Sequence, residues 1–134
     1  MKLNASLLTL LLIGFLLMAM QPQASGSEMI RLTKNDSGKE ITVPLDAVIQ
    51  IELAAAGGTG YLWQFDDLDR EHFQLLKTET AKDERPDLIG GPLVTRWQVK
   101  TRQRGQAELR LYYFRPWEGK DKAADQFVIR VRIT

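Results

Sequence analysis

The chain of 134 residues carries 18 basic and 17 acidic side chains, one histidine and no cysteine. This near balance of charge excludes the broad basic surface that binding to nucleic acid or anionic lipid requires. Without cysteine, no disulfide framework and no thiolate zinc site can form, so stability must come from the packed core.

The first 26 residues predict a cleaved signal peptide. Lys2 precedes an almost wholly apolar run over residues 7–20, and small and polar residues follow, which are the three parts of a secretory leader. A membrane anchor is the alternative, but a spanning helix needs about 20 apolar residues and this run is shorter. Ala24 or Gly26 supplies the small residue at the cleavage site. We expect an exported domain, residues 27–134, that is periplasmic or secreted and leaves the membrane after cleavage.

Beyond the leader, short stretches of alternating apolar and polar residues predict β-strands separated by turns. A turn at residues 35–38 joins the first two predicted strands, residues 29–33 and 40–43. In the third, residues 48–53, the apolar side chains fall on one face, which predicts one buried side. The same pattern predicts further strands at residues 61–65, 73–78, 94–102, 107–113 and 127–133. About seven or eight antiparallel strands at this spacing indicate a single all-β domain, a β-sandwich.

Catalytic and metal-binding residues are scarce in this sequence. Residues 66–73 have a helical signal for a single turn, and we interpret His72 in that turn as a solvated surface histidine. One imidazole without a second ligand at suitable spacing argues against a metal site, and no G-x-S-x-G turn frames a serine. The glycines of residues 57–60 lack the lysine and helix of a phosphate site. We predict no enzyme activity, no metal and no cofactor; an enzyme centred on His72 is the weakest alternative.

Three predicted loops place glycine or proline beside apolar or aromatic residues: residues 54–63, 85–92 and 115–120. Glycine-rich segments are also ordinary turns, so the loops alone do not define a function. Trp63 and Trp97 lie on predicted strands and are expected in the core. Trp117 lies in a turn between Pro116 and Glu118, where an exposed tryptophan favours recognition. The third loop therefore favours a binding surface.

At these loops the sequence resembles the chagasin-like family of cysteine peptidase inhibitors. The family's third loop, R-P-W-x-G, is matched in full by Arg115, Pro116, Trp117 and Gly119. Its first loop, N-P-T-T-G-[YF]-x-W, is matched by Thr59, Gly60, Tyr61 and Trp63, while Ala56, Gly57 and Gly58 replace the Asn, the Pro and the first Thr. Its second loop, G-x-G-G, is matched only by Gly90 and Gly91, with Leu88 in the leading position.

The resemblance implies an immunoglobulin-like sandwich with three binding loops at one end, which inhibits papain-like cysteine peptidases reversibly and non-covalently. The first loop would enter the catalytic cleft, and the other two would grip its rims, with Trp117 as the apolar anchor and Arg115 adding a charged bond. The implied peptidase-binding residues are Gly57, Gly58, Thr59, Gly60, Tyr61, Trp63, Leu88, Ile89, Gly90, Gly91, Arg115, Pro116, Trp117 and Gly119.

The departures from the family pattern predict weaker or narrower inhibition. Glycine in place of a restricted residue leaves more freedom to lose on binding, about 0.5 to 1 kcal/mol per site. Leu88 and Ile89 offer apolar contacts that partly compensate. The alternative is a non-inhibitory immunoglobulin-like module that binds another exported protein or a surface polymer with the same loops. We expect a monomer, because an inhibitor that acts through one end needs no second copy.

Overall fold

The computed structural model describes residues 28–82 and 91–134. Eight strands form two four-stranded sheets, so the predicted all-β sandwich is confirmed. The predicted signal peptide and Leu88, Ile89 and Gly90 lie outside the described residues. No helix in the described part of the chain is long and apolar enough to cross a membrane. In chain order the strands are β1 (Met29–Leu32), β2 (Glu40–Val43), β3 (Val48–Ala55), β4 (Leu62–Phe65), β5 (Phe73–Lys82), β6 (Leu93–Thr101), β7 (Gly105–Phe114) and β8 (Asp125–Ile133).

The strand order is β1-β3-β6-β5 in one sheet and β2-β8-β7-β4 in the other. Four of the six strand pairs are antiparallel, as expected, but β1 runs parallel to β3 and β2 runs parallel to β8. The chain between β1 and β2 contains a short 3-10 helix, Lys34–Asp36, and passes from one sheet to the other. The first two strands therefore lie in different sheets, where β1 pairs with β3 and β2 pairs with β8.

The core follows the predicted alternation. In β3, Ile49, Ile51 and Leu53 are buried, and in β8 every second residue from Phe127 to Ile133 is buried as well. Trp63 and Trp97 also lie in the core, as predicted. Full burial of each large apolar side chain contributes about 1.5 to 3 kcal/mol, so these two faces hold the sheets together.

Strand directions bring the strand ends that flank the three predicted loops to one end of the sandwich. Loop 1 (residues 56–61) joins β3 to β4, loop 2 (residues 83–92) joins β5 to β6, and loop 3 (residues 115–124) joins β7 to β8. The stems are adjacent, because Leu93 pairs with both Ala55 and Lys82, and Leu62 pairs with Phe114. We call this the loop end. The opposite end, called the far end, contains the connections at residues 44–47, 66–72 and 102–104.

The far end confirms one expectation and corrects another. The predicted single turn is present: the N–H of Phe73 donates a hydrogen bond of 2.9 Å to the carbonyl of Asp69, and the Asp69 carboxylate caps the turn by accepting from the N–H groups of Glu71 and His72. The interpretation of His72 as a solvated surface histidine is wrong. Its side chain is only 17% exposed, because Nδ1 lies 2.8 Å from Oδ2 of Asp69 and the ring packs beside Gly105.

Candidate functional site

Loop 1 is a narrow turn closed by its own side chain. The Thr59 hydroxyl donates a hydrogen bond of 2.9 Å to the carbonyl of Ala56, on the other side of the turn. Gly58 and Gly60 have φ values of 76° and 80°, a region in which glycine is strongly favoured. No side chain between residues 57 and 60 is larger than that of threonine. The tip therefore presents mainly backbone groups on a slim projection.

An aromatic stack supports loop 1 from below. The ring of Tyr113, in β7, lies between the rings of Tyr61 and Trp63, with centroid distances of 5.0 and 4.9 Å. The Trp63 indole donates a hydrogen bond of 3.0 Å to the carbonyl of Ala54. Trp63 is only 8% exposed, so it lies beneath the tip and supports it.

Arg115 connects loop 3 to loop 1. Its Nε donates a hydrogen bond of 2.9 Å to the carbonyl of Thr59, and its Nη1 donates one of 3.0 Å to Oε1 of Glu118. The guanidinium also lies over the ring of Tyr61, 4.5 Å from the centroid. The hydrogen bond to Glu118 raises the pKa of Arg115 above its ordinary value. This side chain, predicted as a contact for a target, is engaged within the chain and couples the two loops.

Trp117 and the loop 1 tip form one continuous surface. Trp117 is 71% exposed, the most exposed large hydrophobic side chain among the described residues. Its ring lies directly over Gly60, so that a Cβ at this position would collide with Cη2 of Trp117. The close approach gives a tertiary reason for glycine at position 60. A flat apolar surface therefore adjoins the slim tip.

The base of loop 3 is fastened at several points. The N–H groups of Glu118 and Gly119 both donate to the carbonyl of Arg115, which forms the turn that carries Trp117. Lys120 pairs with the carboxylate of Asp66 at the end of β4, and this hydrogen bond raises the pKa of Lys120. Farther along, the N–H of Ala124 donates to the carbonyl of Tyr113 at 2.8 Å. The turn therefore has a defined position relative to β4 and β7.

The predicted site residues of loops 1 and 3 are thus brought together, whereas loop 2 is represented only by Gly91 and Pro92. Sequence reasoning missed two supporting residues, Tyr113 and Glu118. Glu118 carries a charge opposite to that of Arg115 three residues earlier, which is a usable sequence signal. Tyr113 offered no comparable signal, because its partners lie on another strand and in loop 1.

One group of potential metal ligands occurs among the described residues, at the far end: Asp69, Glu71 and His72. Burial acts to raise the pKa of Asp69, but the hydrogen bonds from the side chain and backbone of His72 outweigh it and hold this pKa below its ordinary value. Both carboxylate oxygens of Asp69 already accept hydrogen bonds from within the turn. These hydrogen bonds account for the position of the three residues in the turn.

Comparisons of the sequence and of the structure with known proteins point to the same group of peptidase inhibitors. The model of the chagasin family of peptidase inhibitors, I42, matches residues 42–131. Chagasin from Trypanosoma cruzi is 26% identical over 105 residues, which cover 76% of this chain and 96% of that protein. The cysteine protease inhibitor EhICP2 from Entamoeba histolytica has a similar structure, with a TM-score of 0.72 and 22% identity over 79% of this chain and 96% of its own. PbICP-C, solved in complex with falcipain-2, has a TM-score of 0.50 and 18% identity over 86% of this chain and 96% of its own.

Proposed function

We propose that this chain, which belongs to the chagasin family of peptidase inhibitors, I42, blocks papain-like cysteine peptidases by reversible, non-covalent occlusion of the catalytic cleft. One observation carries the proposal: Arg115 joins a slim glycine-rich tip to the exposed Trp117, which makes a single surface from two loops. The complex of PbICP-C with falcipain-2 supports a peptidase as the partner.

The geometry suits entry into a narrow cleft. The tip offers backbone N–H and C=O groups without bulky side chains, so it can approach a buried nucleophile closely. Trp117 supplies a large, rigid apolar contact beside the cleft, the kind of residue that dominates binding energies. Because the bonds from Thr59 and Arg115 order both loops in the free protein, less conformational entropy is lost on association.

The contact roles are divided as follows in this proposal. Gly57, Gly58, Thr59 and Gly60 enter the cleft, and Pro116 and Trp117 cover one rim. Gly119 allows the turn that presents Trp117, since its φ is 86°. The residues that support this surface without facing a target are Tyr61, Trp63 and Arg115. Contact of loop 2 with the opposite rim, through Leu88, Ile89, Gly90 and Gly91, stays a prediction from the sequence.

Titration against papain and a cathepsin L-like peptidase tests the proposal. The protein expressed from the full coding sequence should inhibit in proportion to its concentration, and dilution of the complex should restore peptidase activity. Gel electrophoresis should show an intact inhibitor after incubation, since occlusion without acylation cleaves nothing. Absence of inhibition would overturn the proposal and favour a binding module with another target.

We also propose that the chain is exported and that the first 26 residues are removed. The charged start, the apolar run and the small residues near Ala24 and Gly26 support this. Fractionation of an expression host followed by intact-mass measurement tests it. A protein of full mass in the membrane fraction would contradict cleavage.

A further inference from the structure

The N-terminal side of loop 1 is hydrogen-bonded to a hydroxyl group from another strand. The backbone N–H of Ala56 donates a hydrogen bond of 3.0 Å to the hydroxyl oxygen of Tyr113, which lies 57 residues later in the chain. The carbonyl of the same Ala56 accepts the bond from Thr59. Both backbone groups of Ala56 are therefore held by side-chain hydroxyls.

The same tyrosine also holds the C-terminal side of the loop. Its ring stacks on Tyr61, the last residue of loop 1, and on Trp63 in β4. Its strand continues through Phe114 into Arg115, which bonds to the carbonyl of Thr59. Tyr113 therefore touches both sides of the loop and belongs to the strand that positions loop 3.

Loop 1 needs such support because its own backbone restricts its conformation very little. Of its six residues, Gly57, Gly58 and Gly60 are glycines, and two of these adopt positive φ. Glycine loses more conformational freedom on ordering than any other residue. The position at which the chagasin-like pattern has proline is Gly57, so the restriction that a proline ring imposes is missing.

We propose that Tyr113 is a positioning residue for inhibition: its hydroxyl holds loop 1 in the binding-competent conformation and so replaces the restriction lost at Gly57. This inference rests on the proposed function. When only a fraction of molecules has the competent loop, the apparent dissociation constant rises in inverse proportion to that fraction. The loss of one such hydrogen bond shifts the loop equilibrium about five- to tenfold, so inhibition weakens by at most this factor.

The first experiment compares Tyr113→Phe with Tyr112→Phe. Both variants remove one hydroxyl from β7, but Tyr112 lies on the other face of the strand, near Lys120. We expect Tyr113→Phe to weaken inhibition of papain several-fold, and at most about tenfold, mainly through slower association, and Tyr112→Phe to leave it unchanged. Amide hydrogen exchange should accelerate at Ala56 in Tyr113→Phe alone, while the amides of β3 and β6 stay protected.

A rescue variant separates positioning from direct contact. Gly57 does not adopt positive φ, the backbone region that proline cannot reach. Introduced into Tyr113→Phe, Gly57→Pro should recover most of the lost inhibition, and the gain should exceed that in the wild-type background. A hydroxyl that touched the peptidase itself could not be replaced in this way.

The outcomes distinguish the two proposals. If the wild type inhibits papain but Tyr113→Phe inhibits equally well, the inference is overturned and the proposed function stands. If Gly57→Pro gives equal gains in both backgrounds, positioning by the hydroxyl is likewise overturned. If the wild type does not inhibit at all, the proposed function fails, and unchanged exchange at Ala56 in Tyr113→Phe would overturn the structural part of the inference as well.

Discussion

The two ends of the sandwich are held together in different ways. At the far end, Thr101 is fully buried, and its hydroxyl donates to the carbonyl of Pro44 at 2.9 Å and accepts from the N–H of Ala47 at 3.1 Å. At the loop end, the bonds of Arg115 and Thr59 lie at the surface. A buried polar group without a partner costs about 1 to 3 kcal/mol, whereas an exposed one is solvated by water.

This contrast teaches that stability and recognition can be changed separately. Substitutions at the far end should lower the free energy of unfolding and leave inhibition intact. Substitutions of exposed loop-end side chains such as Trp117 should do the reverse, because these side chains shape a surface and contribute little to the core. Four experiments test this separation, beginning with the largest expected effect.

Trp117→Ala should weaken inhibition most, by roughly 30-fold or more, since a central tryptophan typically contributes at least about 2 kcal/mol to an interface. The control is Leu76→Ala, which removes another exposed hydrophobic side chain, 46% exposed, from β5 outside the loops. Inhibition constants for papain measure the effect, and thermal unfolding should be nearly unchanged in both. Equal losses in the two variants would show that Trp117 has no special role.

Thr101→Val should lower the free energy of unfolding by about 1 to 3 kcal/mol, because the N–H of Ala47 loses its buried acceptor. Thr134→Val is the matched control, since Thr134 is exposed and its hydroxyl makes only a bond of 3.4 Å to Val43. Urea titration measures both. A change in the inhibition constant of Thr101→Val, measured where the protein is folded, would contradict the independence of the two ends.

Gly60→Ala and Gly58→Ala separate backbone strain from contact with Trp117. Both glycines have positive φ, but a Cβ has open space at Gly58 and collides with Trp117 at Gly60. Each substitution carries a backbone cost of about 1 kcal/mol. Only Gly60→Ala should displace the indole, and we expect inhibition about tenfold weaker than for Gly58→Ala. Similar inhibition constants would show that the position of Trp117 over Gly60 is unimportant.

Asp69→Asn tests how the charge at the far end makes the free energy of unfolding depend on pH. Because the pKa of Asp69 is lowered in the folded protein, its charge stabilises the fold above the ordinary aspartate pKa of about 3.9, and this contribution is lost as the pH falls through the lowered value. The variant should be less stable than the wild type at pH 7, and the difference should shrink towards pH 3. Urea titrations across this range provide the measurement, and a constant difference would rule out the carboxylate charge as its cause.

Much of this architecture could be predicted from local patterns. Period-two alternation identified the strands and buried faces, as in Ile49, Ile51 and Leu53, because neighbouring side chains of a strand point to opposite faces. The motif around Trp117 predicts a binding turn, and that side chain is exposed in the structure. These features depend on residues close together in the chain, so the sequence alone was sufficient for them.

The partners of each strand and side chain were decided by the tertiary structure. Alternation specifies a face but not a neighbour, so the parallel pairing of β1 with β3 and of β2 with β8 had no local signal. The bond from Arg115 to Thr59 spans 56 residues, and that from Ala56 to Tyr113 spans 57. Only the strand order brings these groups within hydrogen-bonding distance, and for that reason the roles of Arg115 and Tyr113 in positioning the loops emerged from the fold.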